Sequence, residues 1–458
     1  MRIGRLHVAS FVLATAVFAA TVARGDRRAD EARIVAYAKA HANEATALLE
    51  RLVNVNSGTM NPEGVREIGR ILAGELEATG FSTRWIDLPE TKRAGHLFAE
   101  HKGNRGKRLL LIGHLDTVFE KDSPFQKFVR EGNAAKGPGV ADIKGGDVVM
   151  LFALRALRES GALDGASIVA AFTGDEENPG QPLEVARRDL IEAAKRSDVA
   201  LEFENGLREG RTEWGTVARR SLGWWTLRTT GQMGHAQGIF GEAAGHGAVY
   251  EAARILWAFD QDLREQYLTY NAALFLAGTS VTEEGPDRGT AAGKGNVIPQ
   301  KAVVHGDLRA LTVEQIRKTQ QKMREIVAKS LPRTSAQIEF TDVYPPMPPT
   351  AGNRALLDRL NQVNSDLGFA TMDPIDPSKR GAADISFVAP YVDSLAGMGI
   401  FGSGVHSPAE AGGTGHPARA DRESGRPDVP AHARFVRLEL IGPQNRWSGL
   451  EAGADIRT

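Results

Sequence analysis

Apolar residues recur at helical spacing near the start of the globular part of the chain. Residues 30–53 and 62–79 both carry apolar side chains three or four positions apart, which predicts two amphipathic helices. Short apolar runs then alternate with further helical patterns. Strands are predicted over residues 108–112, 167–172 and 199–203, and helices over residues 148–158 and 183–195. This alternation predicts an α/β fold in which helices sandwich a mostly parallel sheet.

The pattern changes near residue 219. A strand over residues 222–229, a Gly-rich loop, a helix over 244–259, a strand over 303–309 and a helix over 313–329 predict a smaller α+β unit. The Pro-rich segment 344–349 predicts an extended return, and a helix over 354–367 follows it. The predicted division is a first domain (26–218 and 333–410), an inserted domain (219–332) and an atypical tail (411–458).

The first 25 residues have the order of a secretory signal. Arg2 and Arg5 precede an apolar run over residues 8–22, and small residues close it at 21–23. The run is short for a membrane span of about 20 residues. We therefore expect cleavage, no stable membrane span after processing, and a periplasmic or secreted protein. A retained anchoring helix is the alternative.

Charge and cysteine content restrict the possible partners and sites. Lys and Arg total 56 against 57 Asp and Glu, so no net field favours nucleic acid. The chain has no cysteine. Any metal site must therefore be built from His, Asp and Glu.

Candidate metal ligands follow three of the predicted strands. His114 comes after the first strand, the pair Glu176-Glu177 after the second, and Glu202 and Glu204 stand at the end of the third. Open α/β sheets bind ligands at the carboxyl ends of their strands, so we expect these side chains to lie close together. The strand pattern alone does not choose between Glu202 and Glu204.

Other residues suit supporting roles around these ligands. Asp116 can accept a hydrogen bond from the second ring nitrogen of His114. Asp142 and His406 lie in Gly-rich loops, where each can reach a metal. The loop over residues 137–146 lacks the Gly-Lys-Ser/Thr ending of a phosphate-binding loop, and its aspartate would repel an anion. Taken singly, each of these residues also fits a surface turn.

At these residues the sequence resembles the M20 family of metallopeptidases, especially its glutamate carboxypeptidase branch. The match covers roughly residues 34–410, with five separated motifs in the same order. The resemblance implies a zinc-peptidase-like catalytic domain, an inserted lid and dimerisation domain, and two zinc ions per subunit, with manganese or cobalt as alternatives. The implied ligands are His114 and Glu204 for one ion, Glu177 and His406 for the other, and Asp142 as the bridge.

The resemblance also implies roles outside the ligand set. Glu176 is expected to be the general base, and Asp116 the residue that orients His114. In the inserted domain, His235 matches the residue that reaches the partner subunit's active site in a homodimer and steadies the oxyanion. The two implied carboxylate-binding residues are Asn296 and Arg309. A guanidinium can grip a carboxylate through two hydrogen bonds, although a strand-end surface arginine is the alternative.

The expected activity is release of a C-terminal amino acid, glutamate, from a small peptide or N-acyl conjugate with a free carboxylate. An N-acyl amino acid deacylase or a dipeptidase would share every metal ligand. A binding protein without catalysis is a third alternative.

Overall fold

The structure is a computed structural model that describes residues 31–413, apart from residues 133 and 211. It divides into two compact units. The first contains the described residues up to Gly215, Ala351–Pro374 and those from Tyr391 onward. The second contains Thr216–Thr350 and Ile375–Pro390. Each unit has its own sheet.

The helices of the first unit cover the apolar stretches predicted to be helical. They are α1 (31–40), α2 (Ala42–Val53), α3 (Pro62–Ala78), α4 (Lys144–Glu159), α5 (Leu183–Ala186), α6 (Arg188–Lys195) and α9 (Ala351–Asp366). Helix α3 begins with a proline at its first position and with the side chain of Asn61 accepting from Gly64 N. The helices predicted over residues 30–53 and 183–195 are each divided, at His41 and at Arg187. At the second break the buried side chain of Arg187 binds Asp175 instead of lying on the helix surface.

The central sheet of the first unit has the strand order β1-β2-β6-β3-β7-β17. Its strands are β1 (Ser82–Leu88), β2 (Arg93–His101), β3 (Arg105–His114), β6 (Ala166–Thr173), β7 (Val199–Glu202) and β17 (Asp393–Leu395). The last four in the order, β6, β3, β7 and β17, are parallel, and β2 runs antiparallel to both of its neighbours, β1 and β6. The mostly parallel α/β prediction is confirmed.

A smaller sheet joins the end of the described chain to the middle of the first unit. Its order is β18-β19-β5-β4. The remaining strands of this unit are β4 (Val129–Glu131), β5 (Ala134–Lys136), β8 (Leu207–Glu209), β9 (Thr212–Gly215), β16 (Asp373–Pro374), β18 (Gly402–Ser403) and β19 (Ala411–Gly413). The predicted start of the atypical tail at residue 411 is therefore wrong, because β19 pairs with β5.

The second unit is an antiparallel sheet with two long helices. Its order is β11-β14-β10-β15, and α7 and α8 pack on it. The elements are β10 (Leu222–Gly231), α7 (Gly247–Asp262), β11 (Thr269–Gly278), β12 (Ser280–Glu283), β13 (Gly289–Ala292), β14 (Lys301–Arg309), α8 (Val313–Val327), β15 (Thr334–Tyr344) and α10 (Ile385–Val388). The buried Trp225 and Phe259 meet edge to face in its core.

The predicted boundary of the inserted domain at residue 332 is displaced. Strand β15 follows that residue and pairs with β10 along almost its whole length. A boundary there would cut this ladder, so the second unit continues to Thr350. The signal-like residues 1–25 and the tail beyond residue 413 lie outside the described residues. Within the described ranges, no helix combines the length and apolar character needed to cross a membrane.

Candidate metal centre

Three neighbouring parallel strands end at one edge of the central sheet. His114 is the last residue of β3 and lies opposite Thr173, the last residue of β6. On the other side of β3, Ile112 lies opposite Glu202 at the end of β7. The chain segments that follow these strands therefore leave the sheet side by side.

The first group of potential ligands surrounds the ring of His114. Its Nε2 lies 3.2 Å from Asp142 Oδ1 and 3.3 Å from Glu204 Oε1. All three residues are buried. Glu204 follows β7 and reaches this position, whereas Glu202 is the last residue of β7 itself and belongs to neither ligand group.

The second group surrounds the ring of His406. Its Nε2 lies 3.1 Å from Asp142 Oδ2 and 3.1 Å from Glu177 Oε2. His406 is in the loop between β18 and β19 and adopts a left-handed φ of 60°. Asp142 thus directs one carboxylate oxygen to each group, the arrangement that a bridging ligand needs.

The donor set fits two metal ions. Ligand atoms bound about 2.0–2.2 Å from a tetrahedral zinc are roughly 3.3–3.5 Å apart, close to the 3.1–3.3 Å spacings of these groups. Glu177 Oε1 is buried without a hydrogen-bond partner among the described residues. A bound cation would satisfy it, because buried carboxylate oxygens otherwise lack compensation.

Asp116 holds two parts of the centre at once. Nδ1 of His114 lies 3.1 Å from the Asp116 carbonyl oxygen and 3.3 Å from Oδ1. The same carboxylate accepts from the backbone N–H of Glu176 at 3.0 Å and of Glu177 at 3.1 Å, and from Thr59 Oγ1 at 2.6 Å. The sequence pattern predicted the contact of Asp116 with His114. It did not predict that Asp116 also binds the backbone of Glu176 and Glu177.

Three residues of the second unit are predicted to contact the transition state or the substrate. His235 and Asn296 lie together, and Arg309 lies apart from them. Ala236 N, next to His235, donates to the backbone oxygen of Asn296 at 2.9 Å. Both residues are near the Lys301 end of β14, whereas Arg309 is at the other end. Those ends are eight residue steps apart along the extended strand, a distance of roughly 26 Å.

Comparison with known proteins identifies the family. The sequence profile described as "Peptidase family M20/M25/M40" matches residues 110–412. The chain belongs to this family. Carboxypeptidase G2 from Pseudomonas sp. (strain RS-16) is 29% identical over 375 residues, which cover 78% of this chain and 82% of that protein. The chain is therefore a metal-dependent peptidase that hydrolyses C–N bonds.

Solved structures of M20 proteins share the fold. An M20 family metallo-carboxypeptidase from Sulfolobus solfataricus superposes with a TM-score of 0.62 at 16% identity, over 87% of this chain and 99% of that one. A dinuclear metal-binding M20 peptidase from Bacillus subtilis gives a TM-score of 0.56 at 17% identity, over 88% and 98% of the two chains. At such identities the likeness establishes the architecture.

Burial and close contacts shift the pKa values of the candidate ligands of this M20 peptidase. Hydrogen bonds to Asp142 and Glu177 raise the pKa of His406 to about 11. Burial opposes ionisation of both His114 and Asp142, but their contacts raise the pKa of the histidine and lower that of the aspartate. Burial and the Asp142 charge raise the pKa of Glu177 to about 8. Metal ligands bind in their deprotonated forms, so a raised pKa of His406 or Glu177 makes protons compete with metal binding.

A buried ion pair between Asp175 and Arg187 supports the turn that contains Glu176 and Glu177. Asp175 precedes Glu176, and its Oδ1 accepts from Arg187 Nη1 at 2.6 Å, while both side chains are fully buried. Asp175 Oδ2 also accepts from Gly180 N at 2.8 Å. The sequence pattern does not predict this pair. Asp175 directly precedes the two candidate glutamates, but nothing in the sequence pairs it with Arg187.

Glu410 connects the two loops that carry His406 and Asp142. Its Oε1 accepts from Ala141 N at 2.8 Å and Asp142 N at 3.1 Å, and its Oε2 from Gly139 N at 3.4 Å. Glu410 lies four positions after His406, in the loop that closes on β5. No pattern in the sequence predicts these contacts. They tie Asp142 to the loop of His406, the histidine of the second group.

Proposed function

We propose that this M20 peptidase is a two-metal carboxypeptidase that releases a C-terminal glutamate from a small peptide or N-acyl conjugate. The proposal of two metal ions is supported by the carboxylate of Asp142, because one of its oxygens faces each ligand group. Similarity to carboxypeptidase G2 over most of both chains supports a carboxypeptidase. The signal-like residues 1–25 support a periplasmic or secreted location for the enzyme.

His114, Glu204 and Asp142 would hold one zinc ion, and Glu177, His406 and Asp142 the other. When bound, two such ions polarise the scissile carbonyl and favour ionisation of water. Glu176 takes a proton from the attacking water through its carboxylate and returns it to the leaving nitrogen. Its backbone N–H is held by Asp116, 3.0 Å away, which places it next to Glu177 without making it a ligand.

The substrate test compares three classes of amide with the full-length, zinc-supplemented protein. We expect an N-benzoyl or pteroyl glutamate to be cleaved at least about tenfold more efficiently, in kcat/KM, than N-acetyl amino acids or dipeptides with neutral C-terminal residues. A preference for acetylated amino acids would instead favour the deacylase, and one for dipeptides the dipeptidase. A folded, metal-loaded protein that cleaves none of them would be a binding protein.

The spacing within the second unit supports a homodimer. Asn296 and Arg309 cannot grip the same carboxylate from one subunit, because they lie at opposite ends of β14. We propose that Arg309 acts in its own subunit's site, whereas His235 and Asn296 act in the partner's site. The hydrogen bond from Ala236 N to the Asn296 carbonyl keeps His235 and Asn296 close together, so both would enter the same site.

Mixing two inactive variants tests this arrangement. His235→Ala and Glu176→Gln are each expected to lose most activity alone. After equimolar mixing and subunit exchange, half of the dimers are mixed, and each has one site with both wild-type groups, so activity should recover to about a quarter of wild type. No recovery, with exchange verified by mass spectrometry of tagged subunits, would place His235 in its own subunit's site or outside catalysis.

A further inference from the structure

Two arginines of the second unit lie side by side at the end of its sheet. Arg220 Nη1 donates to Thr269 Oγ1 at 3.0 Å, and Thr269 is directly opposite Arg309 across β11 and β14. Arg220 Nη2 donates to the carbonyl of Ser378 at 3.1 Å. Nη1 of Arg309 lies 3.6 Å from where a Cβ on Gly381 would stand. Both guanidinium groups therefore border the same short segment.

Two more arginines reach this segment, residues 376–381. Arg219 is buried and donates through Nη1 to the carbonyl of Gly381 at 3.1 Å. Arg380 belongs to the segment and is also buried. We call Arg219, Arg220, Arg309 and Arg380 the arginine cluster. Three guanidinium groups therefore lie against residues 376–381, to which Arg380 itself belongs.

Two carboxylates lie beside Arg220 and Arg309. Asp307 pairs with Arg309 through Nε at 2.8 Å. Asp376 accepts from Ser378 N at 2.8 Å, and its charge acts on Arg220. Neither contact occupies Nη1 or Nη2 of Arg309.

Two arginines of the cluster have donor groups without an acceptor. Nε of Arg220 is buried and has no hydrogen-bond partner in the described part of the chain. Arg309 binds Asp307 through Nε, and no described residue accepts from its Nη1 or Nη2. Burial, together with the neighbouring Arg309, lowers the pKa of Arg220, because both effects disfavour its charged form.

We propose that Arg220 is a specificity-determining residue that binds a second carboxylate of the substrate, next to the one held by Arg309. Adjacent, partly buried guanidinium groups repel each other, and a ligand with two carboxylates relieves this repulsion while forming charge-assisted hydrogen bonds. A C-terminal amino acid with an acidic side chain has two such groups. The inference rests on the proposed function, because it assigns the side chain of the released residue to the cluster that holds its α-carboxylate.

The experiment compares matched conjugates that end in glutamate and in glutamine, which differ by one charge at equal size. The wild-type, zinc-supplemented protein should prefer the glutamate conjugate in kcat/KM. Arg220→Gln should lower the ratio of the two kcat/KM values by about 10- to 100-fold, and Arg220→Lys by less. A purely structural role would lower both values together and leave the ratio unchanged, which would overturn the proposal.

Arg288→Gln is the matched control, because it removes the same charge from an exposed pair with Glu284 in the β12–β13 hairpin. Its ratio should equal that of wild type. Calorimetric binding of free L-glutamate and L-glutamine separates this inference from the proposed function. If neither conjugate is cleaved but glutamate binds more tightly and Arg220→Gln removes the difference, the carboxylate site stands and the proposed activity fails. Equal binding of both amino acids to wild type overturns the site.

Discussion

Replacing Asp142 with alanine is expected to remove both metal ions and to abolish hydrolysis. Its two carboxylate oxygens lie 3.2 Å from His114 Nε2 and 3.1 Å from His406 Nε2, so one side chain serves both ligand groups. Its loss also removes the negative charge between the two histidines. Metal content measured after equilibration at fixed free zinc should fall from about two ions per subunit to near zero.

Single-group variants provide the comparison for Asp142. His406→Ala removes a ligand from the second group only, and His114→Ala from the first only. Each should retain about one ion per subunit. Circular dichroism should show the same secondary structure in all three variants. An Asp142→Ala protein that keeps one tightly bound ion would contradict a shared ligand.

Glu176→Gln is expected to keep two metal ions per subunit and to lower kcat by about 10³- to 10⁴-fold, since glutamine cannot accept the proton. Glu176 belongs to neither ligand group, and the backbone contact that holds it to Asp116 does not involve the side chain that is changed. Metal analysis and steady-state kinetics on the same preparation measure both quantities.

The neighbouring substitution Glu177→Gln is the matched control. It makes the same replacement of one carboxylate oxygen by an amide nitrogen in the adjacent glutamate, but weakens a candidate ligand 3.1 Å from His406 Nε2. We therefore expect Glu177→Gln to lose metal first and activity as a consequence. If Glu176→Gln retains full activity, or loses metal as Glu177→Gln does, Glu176 is not the general base.

Much of the metal centre could be predicted from the chain because local patterns determine where strands end. The apolar run before His114 and that before Thr173 form paired parallel strands, so the polar residues that follow them meet at one edge. Choosing Glu204 over Glu202 needed the family resemblance. In the structure Glu204 lies 3.3 Å from His114.

Contacts between distant segments were decided only by the tertiary structure. Three such contacts join residues that no periodic pattern relates. They are the ion pair of Asp175 with Arg187, the hydrogen bonds that Glu410 accepts from the Asp142 loop, and the arginine cluster. Periodicity reports which face of an element is buried, whereas a polar contact depends on which segment packs against that face. The sequence therefore predicted the candidate ligands, with the family resemblance deciding Glu204, whereas only the tertiary structure shows which segments support each of them.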